Sequence, residues 1–115
     1  MDLDENTGRR EMEKGSRIYV AGHRGLVGSA ILHRLIQEGY SSLVTRTSQE
    51  LDLRDQAAVT DLFASERIEY VFLAAAKVGG ILANVTYPVQ FMYDNQAIQA
   101  NVIDSCHRFG VRKLL

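Results

Sequence analysis

The sequence predicts an α/β fold in which strands and helices alternate and the strands form a parallel sheet. Two apolar runs, residues 18–21 and 70–75, have the length and composition of strands that are buried on both faces. Each run is followed by a segment whose apolar residues recur at helical spacing. Strands that alternate with helices are joined by right-handed crossovers, so this order predicts part of a doubly wound sheet.

The first strand leads into a glycine-rich turn and a helix. The strand covers residues 18–21, the turn covers residues 22–28, and the helix continues over residues 29–37. Helical spacing of apolar residues starts near the end of the turn and continues into the helix, at Val27, Ile31 and Leu35.

The second strand is expected over residues 43–45 and ends before Arg46. A second helix is expected from about Asp55, a favourable N-cap residue, to residue 65. Its inward residues are predicted to be Val59, Leu62 and Phe63.

The third strand, residues 70–75, is followed by a loop over residues 77–84 and a long helix that Pro88 can begin at its first position. The helix is expected to stop before Gly110, a suitable residue just past a helix end, and residues 111–115 read as the opening of a fourth strand. The residues assigned to the packed side of the long helix are Phe91, Ile98, Val102 and Cys106.

Composition limits the class of protein. The chain has 115 residues, 46% of them hydrophobic and 23% charged, as expected for one globular domain. Its net charge of −1, with 13 Lys and Arg residues that form no stripe, argues against nucleic-acid binding. No apolar run is long enough to span a membrane. Residues 1–16 are expected to be a flexible tail without a secretory signal, and residues 17–115 a truncated nucleotide-binding domain. Because Cys106 is the single cysteine, a reducing cytoplasm is expected.

The glycine turn has the spacing Gly-x-x-Gly-x-x-Gly, at Gly22, Gly25 and Gly28. Gly22 permits a tight turn after the strand, Gly25 lets a diphosphate approach the backbone, and Gly28 lets the helix pack closely. Backbone amides at a helix N-terminus attract anions. The turn is therefore predicted to bind the diphosphate of a dinucleotide in a Rossmann domain, and the other residues assigned to it are His23, Arg24, Leu26 and Val27.

The end of the second strand favours NADP over NAD. An NAD site usually has an acidic residue there for the ribose 2′-hydroxyl, whereas this chain has Arg46. Arg24 can reach the same 2′-phosphate from the glycine turn. The alternative is that both arginines only solvate a loop.

Further candidates follow the second and third strands. Asp52 and Leu53 are placed to bond the adenine amino group and to pack on its ring, although Asp52 could instead cap the following helix. Ala75, within the small residues 74–76, leaves room for a ribose, although these alanines could simply be core. His23 has no partners at ligand spacing, so no metal site is predicted.

These residues together carry a family resemblance. Residues 21–30, 74–81, 83–84 and 86–88 resemble the GDP-L-fucose synthases, a family of extended short-chain dehydrogenase/reductases. The resemblance implies a cytoplasmic homodimer that binds NADPH and a GDP-sugar. It implies epimerisation of GDP-4-keto-6-deoxy-D-mannose at C3 and C5, followed by reduction of the C4 carbonyl to give GDP-L-fucose.

Two departures from the family pattern bear on this chain. Some members have an arginine at the position of Ser48, so the NADP preference is left mostly to Arg24 and Arg46, although Ser48 could still bond a phosphate oxygen. The family also uses a catalytic Ser and a Tyr-x-x-x-Lys helix, and no tyrosine here is followed by lysine at that spacing. No catalytic residue is predicted, and Cys106 and His107 are expected to be packing or surface residues.

The chain is therefore expected to be the front of a longer enzyme and inactive by itself. Two alternatives stay open: a non-catalytic NADP-binding module or redox sensor, and an incomplete product that is too unstable to fold because part of its sheet is uncovered. Lys77, just after the third strand, is either a ligand contact or a solvated loop lysine.

Overall fold

The structure, a computed structural model, describes residues 12–75 and 88–115. The described residues form four strands and three helices in alternation. In chain order the elements are β1 (Arg17–Ala21), α1 (Leu26–Gln37), β2 (Ser42–Val44), α2 (Gln56–Glu66), β3 (Tyr70–Leu73), α3 (Pro88–Arg108) and β4 (Lys113–Leu114). The predicted α/β class is confirmed.

The four strands form one parallel sheet in the order β2-β1-β3-β4. Strand β1 is central: Tyr19 pairs with Val44 of β2 on one side and with Val71 of β3 on the other. Chain order therefore reverses direction at β1. In open parallel sheets, ligands bind outside the carboxyl ends of the strands at such a reversal, which here means beyond Ala21 and Leu73.

The helices divide between the two faces of the sheet. Helix α1 packs on one face, where Leu35 joins a buried cluster with Ile18, Val20 and Tyr70. Helices α2 and α3 share the other face. The buried residues on that face include Tyr19, Val59, Phe63, Ile98 and Val102. All three inward residues predicted for α2 are buried, as are Ile98, Val102 and Cys106 of α3.

The face that carries α1 is less covered than its sequence predicts. Residues 70–75 were expected to be buried on both faces, but Phe72, which packs on the α1 face, is only half-buried. Leu73, on the opposite face, is half-buried as well. Within the apolar stripe of α1, Leu35 is buried whereas Val27 is 62% exposed. The reason is that α1 is the single described helix on this face, and it covers only part of the sheet.

Residues at the end of the predicted tail contact the fold. The Ser41 amide donates to the Lys14 carbonyl at 3.2 Å, and the Tyr40 hydroxyl donates to the Met12 carbonyl at 3.4 Å. The Lys14 ammonium lies 4.3 Å from the centre of the Tyr40 ring. Packing therefore begins before Arg17. The loop predicted over residues 77–84, Lys77 included, lies outside the described residues, as does the side chain of Phe91.

The end of α3 is as the sequence predicts. Helix α3 ends at Arg108, and Gly110 just beyond it has a φ of +69°. The chain then enters β4, where the Leu115 amide donates to the Val71 carbonyl at 2.8 Å. None of the described helices combines the length and the apolar character that crossing a membrane requires.

Asp55 caps α2, and its removal gives a first test of the local structure. Its carboxylate accepts hydrogen bonds from the amides of Ala57 at 3.1 Å and Ala58 at 3.3 Å. Asp55→Ala is expected to lower the free energy of unfolding by about 1 kcal/mol, the usual cost of losing such a cap. Urea unfolding followed by circular dichroism measures this change, and Asp61→Ala in the same helix is the control. An unchanged unfolding midpoint would contradict the capping role.

Candidate functional site

The turn after β1 is built around a close contact between two strand ends. Gly22 has a φ of +85°, and a Cβ atom built on it would lie 2.7 Å from both the Cα and the N of Ala75. The Ala74 amide also donates to the Ala21 carbonyl at 2.9 Å. Because these neighbours are backbone atoms, only glycine fits here. The predicted tight turn at Gly22 is present, and it brings the ends of β1 and β3 together.

Gly28 allows α1 to start directly against this turn. A Cβ atom on Gly28 would lie 1.9 Å from the carbonyl oxygen of Gly22 and 3.1 Å from the Cα of His23. The sequence predicts that this glycine packs against the strand. In the structure, Gly28 contacts the carbonyl of Gly22, the residue that directly follows β1.

The N-terminus of α1 is open. Gly25 is the N-cap residue, with extended backbone angles of −76° and 173°, and no side chain within the described residues caps this helix end. A Cβ atom on Gly25 would meet only the Gly22 carbonyl oxygen, at 3.5 Å. The first amides of a helix have no partner within the helix, and they carry the positive end of its dipole. This arrangement is suited to an anion.

A cleft of about 470 Å³ lies beside the turn, at the carboxyl ends of the strands. The structure brings five of the predicted residues to it: Gly22, Arg46, Asp52, Leu53 and Ala75. The five other lining residues were not among the site residues predicted from the sequence: Tyr19, Ser48, Leu51, Arg54 and Ile98. Arg54 could have been found as a cation next to Asp52. The sequence pattern predicts Tyr19 and Ile98 to be core residues. Only the packing of β1 and α3 brings them to the cleft wall.

The other residues predicted for the turn lie outside the cleft lining. Leu26 is 89% exposed and Val27 is 62% exposed, so the groups they can offer to an anion are backbone amides. Arg24 is exposed, and no ion pair with another described residue is found for it. The Nδ1 atom of His23 is buried and has no hydrogen-bond partner among the described residues.

Arg46 borders the cleft but already has partners. Its guanidinium donates to the Glu66 carboxylate at 2.9 Å and to the Thr45 carbonyl at 2.7 Å. Glu66 also pairs with Arg17. Arg46 is thus ion-paired, with 33% of its side chain exposed, and its contact with a 2′-phosphate stays a prediction beside the alternative that both arginines only solvate a loop.

Asp52 makes a local ion pair and does not cap a helix. Its carboxylate accepts from the Arg54 amide at 3.0 Å and from the Arg54 guanidinium at 2.9 and 3.0 Å. Asp55 takes the cap of α2, so the alternative capping role for Asp52 was wrong. The bonds and charge of Asp52, and then the charge of Asp94, raise the pKa of Arg54. This end of the cleft therefore holds charges of both signs.

Leu53 and Ala75 give the cleft an apolar wall. Leu53 is buried in the cluster beneath α2 and α3, and its carbonyl accepts from the Asn101 side chain at 2.9 Å. Ala75 is half-buried and borders both the cluster and the cleft. The alternative that these alanines are wholly core is therefore wrong for Ala75, and Ala76 lies outside the described residues.

Two ionisable groups near the core are held neutral. Burial raises the pKa of the Tyr19 hydroxyl to about 12, with Arg46 opposing the shift, and burial raises the pKa of the Cys106 thiol to about 11. A neutral thiol in the core is unreactive. Cys106 is thus a packing residue and His107 a surface residue, as expected. The described residues contain no cluster of His, Cys, Asp and Glu that could hold a metal ion.

A parallel sheet that reverses order at β1, with a glycine turn leading into an open helix end, defines a Rossmann-type α/β domain. The chain belongs to the NAD dependent epimerase/dehydratase family, whose model matches residues 18–115.

The chain is also similar to individual members of the family and to solved structures. The chain is 58% identical over 99 residues to the GDP-L-fucose synthase of Escherichia coli (strain K12), covering 86% of this chain and 31% of that protein. Its structure is similar to that of DdhaC, with a TM-score of 0.88, 57% identity, and coverage of 90% and 30% of the two chains. It is also similar to a GDP-L-fucose synthetase from Naegleria fowleri bound to NADP, with a TM-score of 0.77, 35% identity, and coverage of 90% and 31%. The chain therefore spans about a third of the length of these relatives.

Proposed function

We propose that residues 17–115 form the NADP(H)-binding part of a GDP-L-fucose synthase. The observation that carries this proposal is the open end of α1 beside the close contact of Gly22 with Ala75. It leaves backbone amides free to bind an anion at the point where the sheet reverses order. The high identity with the Escherichia coli enzyme and the NADP in the Naegleria fowleri structure support the same assignment.

The turn would hold the diphosphate of the cofactor. Gly25 offers no Cβ atom in the way, and the amides nearby include those of Leu26 and Val27, whose side chains are exposed. Hydrogen bonds from backbone amides to a charged group contribute about 1.5–3 kcal/mol each. His23 and Gly28 shape the turn around these amides.

The cleft would hold the adenosine end. Asp52 and Leu53 are the groups for the adenine, and Ala75 leaves room for a ribose. Arg46 lies at the same cleft and, with Arg24 in the turn, supplies positive charge for a 2′-phosphate. Ser48 adds a hydroxyl at the cleft wall. This set of groups fits NADP better than NAD, because no carboxylate follows β2 directly.

The reaction of the whole protein is part of the same proposal. NADPH, when bound, would supply a hydride for a 4-keto GDP-sugar that is first epimerised at C3 and C5. The family's catalytic groups include a Tyr-x-x-x-Lys pair, and no tyrosine in the 115 residues is followed by lysine at that spacing. Residues 17–115 therefore bind the cofactor, and the 115-residue chain by itself should not reduce the sugar.

A homodimer in the cytoplasm completes the proposal for the whole protein. The side of α3 that faces away from the sheet carries exposed apolar residues: Val89 is 80% exposed, Tyr93 is 67% exposed and Ile103 is 50% exposed. A second copy would cover such a side. The single, buried Cys106 suits a reducing compartment.

Titration of the purified chain with NADPH and NADH tests the proposal. We expect saturable binding that favours NADPH, and we expect Arg46→Ala to weaken NADPH binding about tenfold while leaving NADH binding almost unchanged, because one charged contact is lost. The enhancement of nicotinamide fluorescence on binding gives both affinities. The matched control is Arg34→Ala, an exposed arginine on α1 that pairs with Glu38 and lies outside the cleft.

A folded chain that binds neither nucleotide would overturn the proposal. Equal weakening of NADPH and NADH by Arg46→Ala would remove the 2′-phosphate role of this residue. An unfolded circular dichroism spectrum of the wild-type chain would instead support the incomplete, unstable product.

A further inference from the structure

A single carboxylate, that of Glu66, lies between two arginines. Glu66 is the last residue of α2, and its two oxygens pair with Arg17 and Arg46 respectively. The Arg17 guanidinium also donates to the backbone carbonyl of Glu66. The three side chains therefore carry a net charge of +1, and one negative group already occupies part of the Arg46 guanidinium.

The position of Glu66 relative to the sheet bears on the direction of the Arg46 side chain. Arg17 is the first residue of β1, so its contacts place Glu66 at the edge where the strands begin. Arg46 lies two residues beyond Val44, which pairs with Tyr19, and thus follows β2 at the opposite edge. The ion pair draws the Arg46 guanidinium back toward the start of β1. A phosphate at the carboxyl edge would require it in the other direction.

The same carboxylate also acts through its charge. The side chains of Arg46 and Glu66 are 33% and 26% exposed, so solvent screens their interaction only in part. A bound 2′-phosphate would feel repulsion from Glu66, and it would compete with Glu66 for the Arg46 guanidinium. NADH has no 2′-phosphate and meets neither effect.

We infer that Glu66 sets the strength of the NADPH preference by competing with the 2′-phosphate for Arg46. The inference rests on the proposed function, in which Arg46 serves that phosphate. Glu66 is thereby a specificity-determining residue that lies away from the cleft lining and lowers the affinity for NADPH while leaving the affinity for NADH unaffected.

Glu66→Gln tests this inference as a gain of affinity. Glutamine keeps an acceptor oxygen for Arg17 and the length of the side chain, but it removes the charge. We expect NADPH to bind about three- to tenfold more tightly, because the 2′-phosphate no longer competes with a partly screened carboxylate for Arg46. NADH should bind as it does to the wild type. Glu66→Asp keeps the charge but withdraws it by one methylene, so a smaller gain is expected.

Two controls separate competition from a general change in charge. Glu69→Gln removes the same charge from a carboxylate that accepts from the Arg17 amide at 2.9 Å and lies 3.9 Å from Arg112. It should leave the ratio of NADPH to NADH affinity unchanged. When Glu66→Gln is added to Arg46→Ala, the gain should shrink to the small part that comes from relief of charge repulsion, because the arginine for which the two anions compete is absent.

The measured affinities distinguish a failure of this inference from a failure of the proposed role of Arg46. A selective loss of NADPH affinity in Glu66→Gln would mean that Glu66 holds Arg46 in place, and it would overturn the inference, as would an equal loss of affinity for both nucleotides. If Arg46→Ala weakens NADPH binding but Glu66→Gln brings no gain, this inference alone fails. If Arg46→Ala changes nothing, the proposed role of Arg46 fails first.

Discussion

Gly28→Ala is expected to destabilise the fold by about 3 kcal/mol or more, because the added methyl group has no space. The Cβ atom would lie 1.9 Å from the carbonyl oxygen and 2.6 Å from the carbonyl carbon of Gly22. These are backbone atoms, and Gly22 cannot retreat because its other side already lies against Ala75. Relief of the clash would therefore separate α1 from the turn or the turn from β3.

Thermal and urea unfolding measure this effect. In a domain of this size, a loss of about 3 kcal/mol corresponds to a fall in Tm of roughly 12 °C or more. Gly15→Ala is the matched control, since a Cβ atom at Gly15 meets nothing within 4 Å. If Gly28→Ala melts at the same temperature as Gly15→Ala, the close packing of α1 on the turn is wrong.

Gly25→Ser is expected to reduce the affinity for NADPH and for NADH alike, by roughly 100-fold, while the chain stays folded. Gly25 has extended backbone angles that any residue adopts, and its Cβ position is almost unobstructed. Serine is also a favourable N-cap residue, so the free energy of unfolding should be equal to that of the wild type or slightly higher. The new side chain would occupy the space of the diphosphate, and the loss of one or two amide contacts to a charged group accounts for the size of the effect.

The two nucleotides distinguish this substitution from the one at Arg46. Gly25→Ser should weaken both because both contain the diphosphate, whereas Arg46→Ala should weaken only NADPH. Fluorescence titration gives the affinities, and the unfolding midpoint shows that the variant is intact. If Gly25→Ser binds NADPH as the wild type does, the turn is not the diphosphate site.

Local features of the chain were readable from the sequence. Asp55 was expected to begin α2 and does cap it, because an N-cap depends on a side chain bonding to amides two and three residues away. Gly22 was expected to form a tight turn and has a positive φ. In each case the deciding interactions lie within a few residues or depend on the backbone conformation of one residue.

Features that depend on residues far apart in the chain could not be predicted from the sequence. The sequence places Arg46 beside a 2′-phosphate but says nothing of Glu66, which is 20 residues away and reaches it only through the folding of α2. The exposure of Val27 and the partial burial of Phe72 depend on how much of one sheet face α1 can cover.

The sequence alone determined the class of fold, the order of strands and helices along the chain, and the glycine turn as the candidate anion site. These follow from apolar periodicity and from the backbone freedom of glycine, which act over short stretches of chain. The tertiary structure alone decided the reversal of strand order at β1, the contact between Gly22 and Ala75, and the sharing of Glu66 by Arg17 and Arg46. Such contacts join residues that are 20 to 53 positions apart, and no local propensity specifies them until the sheet has formed.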